Sequence, residues 1–162
     1  MYTTAIVKQI LDRKGYDVFS IEAEAPVSDA LQMMAEVNVG ALLVANNEKY
    51  VGVFSERDYA RKLALNDKSE EDTSVKEVMT DHIIVAKTDN KIEECLALMT
   101  GRYIRHLPVI DDSNKIIGVV SIGDLVKELV AEHAFIIDQL IQYIAGEEEK
   151  PPIPKKSEKE IY

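Results

Sequence analysis

The sequence predicts a mixed α/β (α+β) fold: two pseudo-symmetric β-α-β-β-α units packed sheet to sheet, plus a C-terminal helix. Three observations predict it. The first is an internal repeat, in which Gly52-Val53-Phe54-Ser55-Glu56-Arg57-Asp58 returns as Gly118-Val119-Val120-Ser121-Ile122-Gly123-Asp124. The second is the alternation of helical and strand periodicity inside each copy. The third is size. The chain has 162 residues, and a unit of about 60 residues is too small to cover its own sheet, so two copies must share one body.

The elements of the two copies match in order. An amphipathic turn opens each unit, Ile6 to Leu11 and Val75 to Met79. A short strand follows, Val18 to Ile21 and Ile83 to Ala86. Apolar residues at 27, 30, 31 and 34, and again at 92, 95, 96 and 99, then mark one face of a helix. Ala41 to Ala45 with Tyr50 to Phe54, and Leu107 to Ile110 with Ile116 to Val120, read as hairpins because branched residues flank a turn-rich link. A second helix closes each unit, Glu56 to Leu65 and Ile122 to Val130. The resulting boundaries are 1–68 for the first repeat and 69–131 for the second. A helix at 132–146 and a flexible Pro/Lys/Glu-rich tail at 147–162 complete the chain. The broad apolar face of that helix (Phe135, Ile136, Ile137, Leu140, Ile141, Ile144) has two readings: it packs on its own domain, or it joins a dimer interface.

Composition narrows the function. Net charge is −10, the wrong sign for a protein that works by neutralising nucleic-acid phosphates. The single cysteine, Cys95, excludes an internal disulfide and a cysteine-rich zinc site. It lies on the apolar stripe with Ile92, Leu96 and Met99 and reads as a buried hydrophobe. His82 and His133 are isolated in sequence, so no metal is expected. No apolar run reaches a membrane-spanning length and no secretory signal opens the chain, so a cytoplasmic protein is expected.

The motif that bears on chemistry is strand, Ser-x-x-Asp, helix, present twice. A serine N-cap with an acid three residues later is a capping box, which many helices use for stability alone. Two copies at equivalent places also support a second reading. Each helix start offers backbone N–H groups, a hydroxyl and a carboxylate, a set suited to phosphate and to the paired hydroxyls of a ribose. Arg57 adds a fixed positive charge.

These residues, with Val39-Gly40-Ala41-Leu42-Leu43-Val44 and Tyr103-Ile104-Arg105-His106-Leu107-Pro108-Val109, resemble a tandem pair of CBS domains, or Bateman module, of the small stand-alone kind. The resemblance spans about residues 7 to 131. It implies dimerisation into a disc and no catalysis. It also implies an adenosine ligand such as AMP, ATP, NAD or S-adenosylmethionine in one or both of two clefts. Carried onto this chain, one cleft would use Phe19, Val39, Gly40, Ala41, Arg105, His106, Val119, Ser121, Gly123 and Asp124. The other would use Val53, Ser55, Arg57, Asp58, Ile84 and Ile104, again with Arg105. Arg57 is answered by Gly123, and Arg105-His106 by Gly40-Ala41, so unequal occupancy is expected.

The expected function is a sensor of an adenosine nucleotide that controls a partner protein through ligand-dependent homodimer geometry. The alternative is a dimerisation scaffold with vestigial clefts. A nucleotide hydrolase using His106 is a third reading; no P-loop or nucleophile-base pattern supports it.

Overall fold

The computed structural model describes residues 4–145. Helix α1 (Val7–Lys14) buries Val7, Ile10 and Leu11 and ends at Gly15, whose φ of 106° suits a residue without a Cβ. Strand β1 (Ser20–Glu22) leads to α2 (Val27–Val37), which stops where Asn38 turns left-handed. Strands β2 (Ala41–Asn46) and β3 (Lys49–Ser55) form the hairpin. β1 runs parallel to β2 and β3 antiparallel to it, giving the order β1-β2-β3.

The second copy repeats this. Helix α4 (Val75–Val78) and strand β4 (Ala86–Lys87) precede α5 (Ile92–Arg102), which ends on a left-handed Tyr103. Strands β5 (His106–Ile110) and β6 (Ile116–Ser121) complete a β4-β5-β6 sheet of the same topology. Both hairpins carry a register shift at the same point of the repeat, Val44/Ala45 and Val109/Ile110. Both pair their last strand residue, Ser55 or Ser121, with the first residue of the preceding strand.

Four details differ from the sequence expectation. β1 and β4 start later, because strand pairing begins only where the chain comes alongside β2 and β5. The helix expected over Glu56 to Leu65 is broken: α3 (Glu56–Asp58) opens into a π-turn (Tyr59–Leu63) and a 3-10 turn (Ala64–Asn66). The π-turn seats Leu63 in the core and leaves Arg61 and Lys62 beside the cavity described below. The two helices expected at Ile122 to Val130 and 132–146 are one, α6 (Ile122–Ala145), since nothing between Leu125 and Ala145 breaks a helix. The tail at 147–162 lies outside the described residues.

The packed cores divide the chain differently from the repeats. α1 packs with the second unit, where Leu11 joins Leu107, Val120 and Leu125 in one cluster. α4 packs with the first, where Val75 and Val78 join Val27, Val44 and Phe54. Each opening helix thus covers the other repeat's sheet, and bridges at Ile6–Lys91, Pro26–Ser74 and Val53–Thr80 stitch the exchange. Neither unit has a complete core without the other.

Candidate functional site

Ser55 ends β3 and caps α3. Its backbone N–H and hydroxyl both donate to Asp58 Oδ2, each at 3.0 Å, and the Asp58 N–H donates back to Ser55 Oγ at 3.3 Å. The other carboxylate oxygen, Oδ1, accepts from Thr80 Oγ1 at 3.1 Å and pairs with Lys62 Nζ at 2.9 Å. Asp58 is buried, so this full set of partners is what keeps its charge tolerable. Thr80 is held by reciprocal backbone bonds with Val53, both 2.9 Å.

This cluster forms one wall of a cavity of about 820 Å³, in the size range of small-molecule sites. Val53 of β3 and Pro108 of β5 both line it, so both sheets contribute. The lining holds five cationic side chains (Arg57, Arg61, Lys62, Arg102 and Arg105) against two carboxylates, Glu56 and Asp58. Arg57 Nη1 is tied to the Tyr103 carbonyl at 3.0 Å. Among the described residues, Arg61, Arg102 and Arg105 form no ion pair. A concave surface rich in unpaired guanidinium groups, on a chain of net charge −10, favours an anionic ligand.

The structure brings together at this cavity Val53, Ser55, Arg57, Asp58, Ile84, Ile104 and Arg105, the set assigned to one cleft. Gly40 and His106, assigned to the other cleft, line the same space. Val39 and Gly40 also border a smaller hollow of about 300 Å³ with Met34 and Glu56. Phe19 packs against the first core, and Ala41 pairs with Ser55 in the sheet. Ser121, Asp124 and Val119 gather elsewhere, around Lys14. Its ammonium lies 2.7 Å from Asp124 Oδ2 and 3.0 Å from the Val119 carbonyl. Ser121 N–H donates to Asp124 Oδ2 at 2.8 Å, and the Asp124 N–H donates to Ser121 Oγ. Gly123 is open, with only Ser121 Oγ near the place of a Cβ.

Sequence reasoning missed Arg61, Lys62, Thr80, His82 and Arg102. Lys62 sits four residues after Asp58, a legible ion-pair spacing. Arg61 reaches the cavity through the π-turn, Thr80 and His82 follow the exchanged helix α4, and Arg102 ends α5; none of these placements leaves a local signal.

Burial pushes the His106 imidazole below its usual value. Lys14 and Arg105 push the same way, and Asp124 opposes them. Burial alone would raise the Asp124 carboxyl, but the Lys14 ammonium and the Ser121 donors outweigh it and hold it below the usual carboxylate range. Cys95 is buried in the second core, and that burial, with some help from Glu94, pushes its thiol up to about 11. Such a thiol is inert near neutral pH. Among the described residues, no group of three His, Cys, Asp or Glu side chains is placed to hold a metal, and no helix is long and apolar enough to cross a membrane.

A duplicated three-stranded unit whose opening helices are exchanged, with a Ser/Asp cap at the end of each hairpin, defines a paired-repeat module. The chain belongs to the CBS domain family, whose model matches residues 7–65 and 75–131. It is 39% identical over 125 residues to the mitochondrial CBS domain-containing protein CBSX3 of Arabidopsis thaliana, covering 74% of this chain and 60% of the plant protein. The chain therefore spans less than two thirds of that relative. A solved CBS-domain protein from Burkholderia ambifaria superposes with a TM-score of 0.76 at 42% identity, covering 78% of this chain and 95% of that one. The CBS domain pair of protein MJ0100, in complex with 5′-methylthioadenosine and S-adenosyl-L-methionine, gives a TM-score of 0.66 at 25% identity, covering 77% and 99% of the two chains.

Proposed function

We propose that this chain is a regulatory module that binds an adenosine ligand beside Asp58 and reports occupancy to a partner protein through the geometry of a homodimer. The observation that carries this reading is the 820 Å³ cavity, whose lining holds the Ser55–Asp58 cap and Thr80 together with Arg102 and Arg105, which form no ion pair among the described residues. A ribose diol would take over the Oδ1 contacts now made by Lys62 and Thr80, freeing the Lys62 ammonium for phosphate. The adenosine compounds bound by the MJ0100 pair support the same ligand class. AMP, ATP, NAD and S-adenosylmethionine are the candidates, and the cationic lining favours the phosphorylated ones. The Asp124 cleft is a weaker candidate, because Ser121 and Asp124 line neither of the cavities described above. We assign no catalytic role to His106.

Signalling requires the ligand to prefer one arrangement of the repeats, since equal affinity for both shifts nothing. Calorimetry and thermal melts with the four compounds test the reading. A binder at 100 times its Kd adds about 2.7 kcal/mol of stability. Asp58→Ala and Arg105→Ala should each weaken binding at least tenfold while the fold persists. A flat panel would leave the scaffold reading, which the exposed apolar side of α6 favours.

A further inference from the structure

We propose that Lys62 makes the cavity selective for phosphorylated adenosines by competing with the ligand for Asp58. This role presupposes the adenosine reading of the cavity and adds to it the choice between ligands with and without a phosphate.

Asp58 has little acceptor capacity left. A carboxylate offers about four lone-pair directions. Oδ2 accepts from the Ser55 N–H and the Ser55 hydroxyl, both at 3.0 Å. Oδ1 accepts from the Thr80 hydroxyl at 3.1 Å and pairs with Lys62 Nζ at 2.9 Å. A ribose diol therefore reaches Asp58 by displacing a donor. The two Ser55 donors belong to the cap that starts α3, and Thr80 is bonded both ways to Val53. Lys62 is the partner that can leave. Its side chain is 43% exposed, against 11% for that of Asp58, so the ammonium can swing away while the carboxylate stays. On leaving, it also gives up the Met79 carbonyl, to which it donates at 3.2 Å.

The backbone beneath Lys62 is held in place. At one end of the π-turn the Tyr59 hydroxyl donates to Glu70 Oε1 at 2.6 Å, and at the other Leu63 is buried in the first core. The second repeat lacks this arrangement. Asp58 and Lys62 correspond there to Asp124 and Glu128, and Glu128 pairs with Arg13 instead. The competing lysine is thus a feature of the Asp58 cap and not of the repeat.

Selectivity follows from moving one ammonium. A ligand without a phosphate leaves Lys62 with water alone. Its affinity is reduced according to how rarely Lys62 is away from Asp58. A phosphorylated adenosine offers the ammonium a second anion within the cavity that Lys62 already lines. The ion pair is then exchanged and not lost. Arg61, Arg102 and Arg105 also line the cavity and attract a phosphate, but among the described residues none of them pairs with Asp58. Lys62 acts on both ends of the ligand, so it discriminates by a contact that opposes one class as well as by one that favours the other.

Calorimetry with AMP and with adenosine on the full chain tests this, using the wild type, Lys62→Met and Arg61→Met. The wild type should prefer AMP. Lys62→Met should bind adenosine about threefold or more tightly than the wild type, and AMP about threefold or more weakly. Arg61→Met, at the neighbouring cation, should weaken AMP and leave adenosine unchanged. If Lys62→Met does not fold, Lys62→Gln keeps a donor beside Asp58 without the charge, and the preference for AMP should fall in it too. Weaker binding of both compounds by Lys62→Met would make the lysine a support for Asp58, and unchanged adenosine affinity would make it a plain phosphate contact. Either result would overturn the competition and leave the cavity reading intact. So would an equal gain in adenosine affinity in Arg61→Met, which would assign the effect to net charge, or an unchanged AMP preference in Lys62→Gln. Failure of both compounds to bind any of these proteins would overturn the cavity reading, and the role of Lys62 with it.

Discussion

Lys14, the last residue of α1, places its ammonium 2.7 Å from Asp124 Oδ2, the carboxylate of the second Ser-x-x-Asp cap. The first repeat's carboxylate also has a lysine partner, Lys62, but that lysine comes from its own helix four residues on. The two repeats thus neutralise equivalent aspartates by different means. One uses a local residue that borders the cavity. The other uses a residue 110 positions away that also bonds the Val119 carbonyl.

Removing Lys14 should expose this difference. Asp124 titrates below its ordinary value of 3.8. Its contribution to stability is therefore complete above that pH and is lost as pH falls through the lower folded value. In Lys14→Met, burial acts on Asp124 with only the Ser121 donors opposing it, and its pKa rises. With both side chains partly exposed, the expected cost at pH 7 is about 1 kcal/mol. Urea titrations of both proteins should show that difference above pH 5 and a shrinking one as pH falls through the lowered folded value and the carboxyl becomes protonated. A gap that does not change with pH would mean that Lys14 acts through packing.

His106 lines the ligand cavity and also feels Lys14 and Asp124 from the other cap. Its folded pKa lies below the ordinary 6.5. Above 6.5 folded and unfolded chains are both neutral there, and the native state loses nothing. As pH falls through 6.5 the unfolded chain takes up the proton first, so stability declines until the lower folded value is passed. A phosphate entering the cavity reverses the bias by favouring the imidazolium. AMP should therefore bind with net proton uptake near pH 6, more tightly than at pH 7.5. Calorimetry in two buffers of different ionisation enthalpy measures the uptake. The AMP phosphate, whose second ionisation falls near pH 6, contributes to the same readout, so His106→Gln is the control. It should remove the His106 part, and identical uptake in both proteins would place His106 outside the ligand's field.

The sequence carries the repeat because both copies bury the same pattern. The helical spacing at Val27, Ala30 and Met34 recurs at Ile92, Cys95 and Met99, and these are the residues that reach the cores. The Ser55/Asp58 and Ser121/Asp124 caps are legible for a local reason, since each bond spans three residues. What pattern cannot carry is exchange between repeats. Leu11 sits beside Gly118, and Met79 and Thr80 sit beside Gly52. Nothing in the local sequence says that an opening helix belongs to the opposite sheet. The continuity of α6 was hidden differently: the repeat ends near Val130, but a repeat boundary is not a helix breaker, and Ala131 to Ala134 continue the turn.

The two equivalent glycines allow a comparison within one molecule. A Cβ on Gly52 would stand 2.6 Å from the Thr80 carbonyl oxygen and 2.7 Å from Met79 Sδ. A Cβ on Gly118 would stand 2.8 Å from Leu11 Cδ2. Neither position has the positive φ that would restrict it for backbone reasons, so the cost is one of contact. Leu11 can swing the end of its side chain, at the usual overpacking cost of about 1 kcal/mol. Thr80 cannot yield so easily. It is backbone, it is bonded both ways to Val53, and its hydroxyl supports Asp58 Oδ1. Gly52→Ala should therefore cost about 2–3 kcal/mol in urea unfolding, against about 1 for Gly118→Ala. It should also weaken AMP binding, because displaced Thr80 no longer holds the carboxylate. Equal costs for the two substitutions, or unchanged AMP affinity in Gly52→Ala, would show that the Thr80 strand gives way without disturbing Asp58.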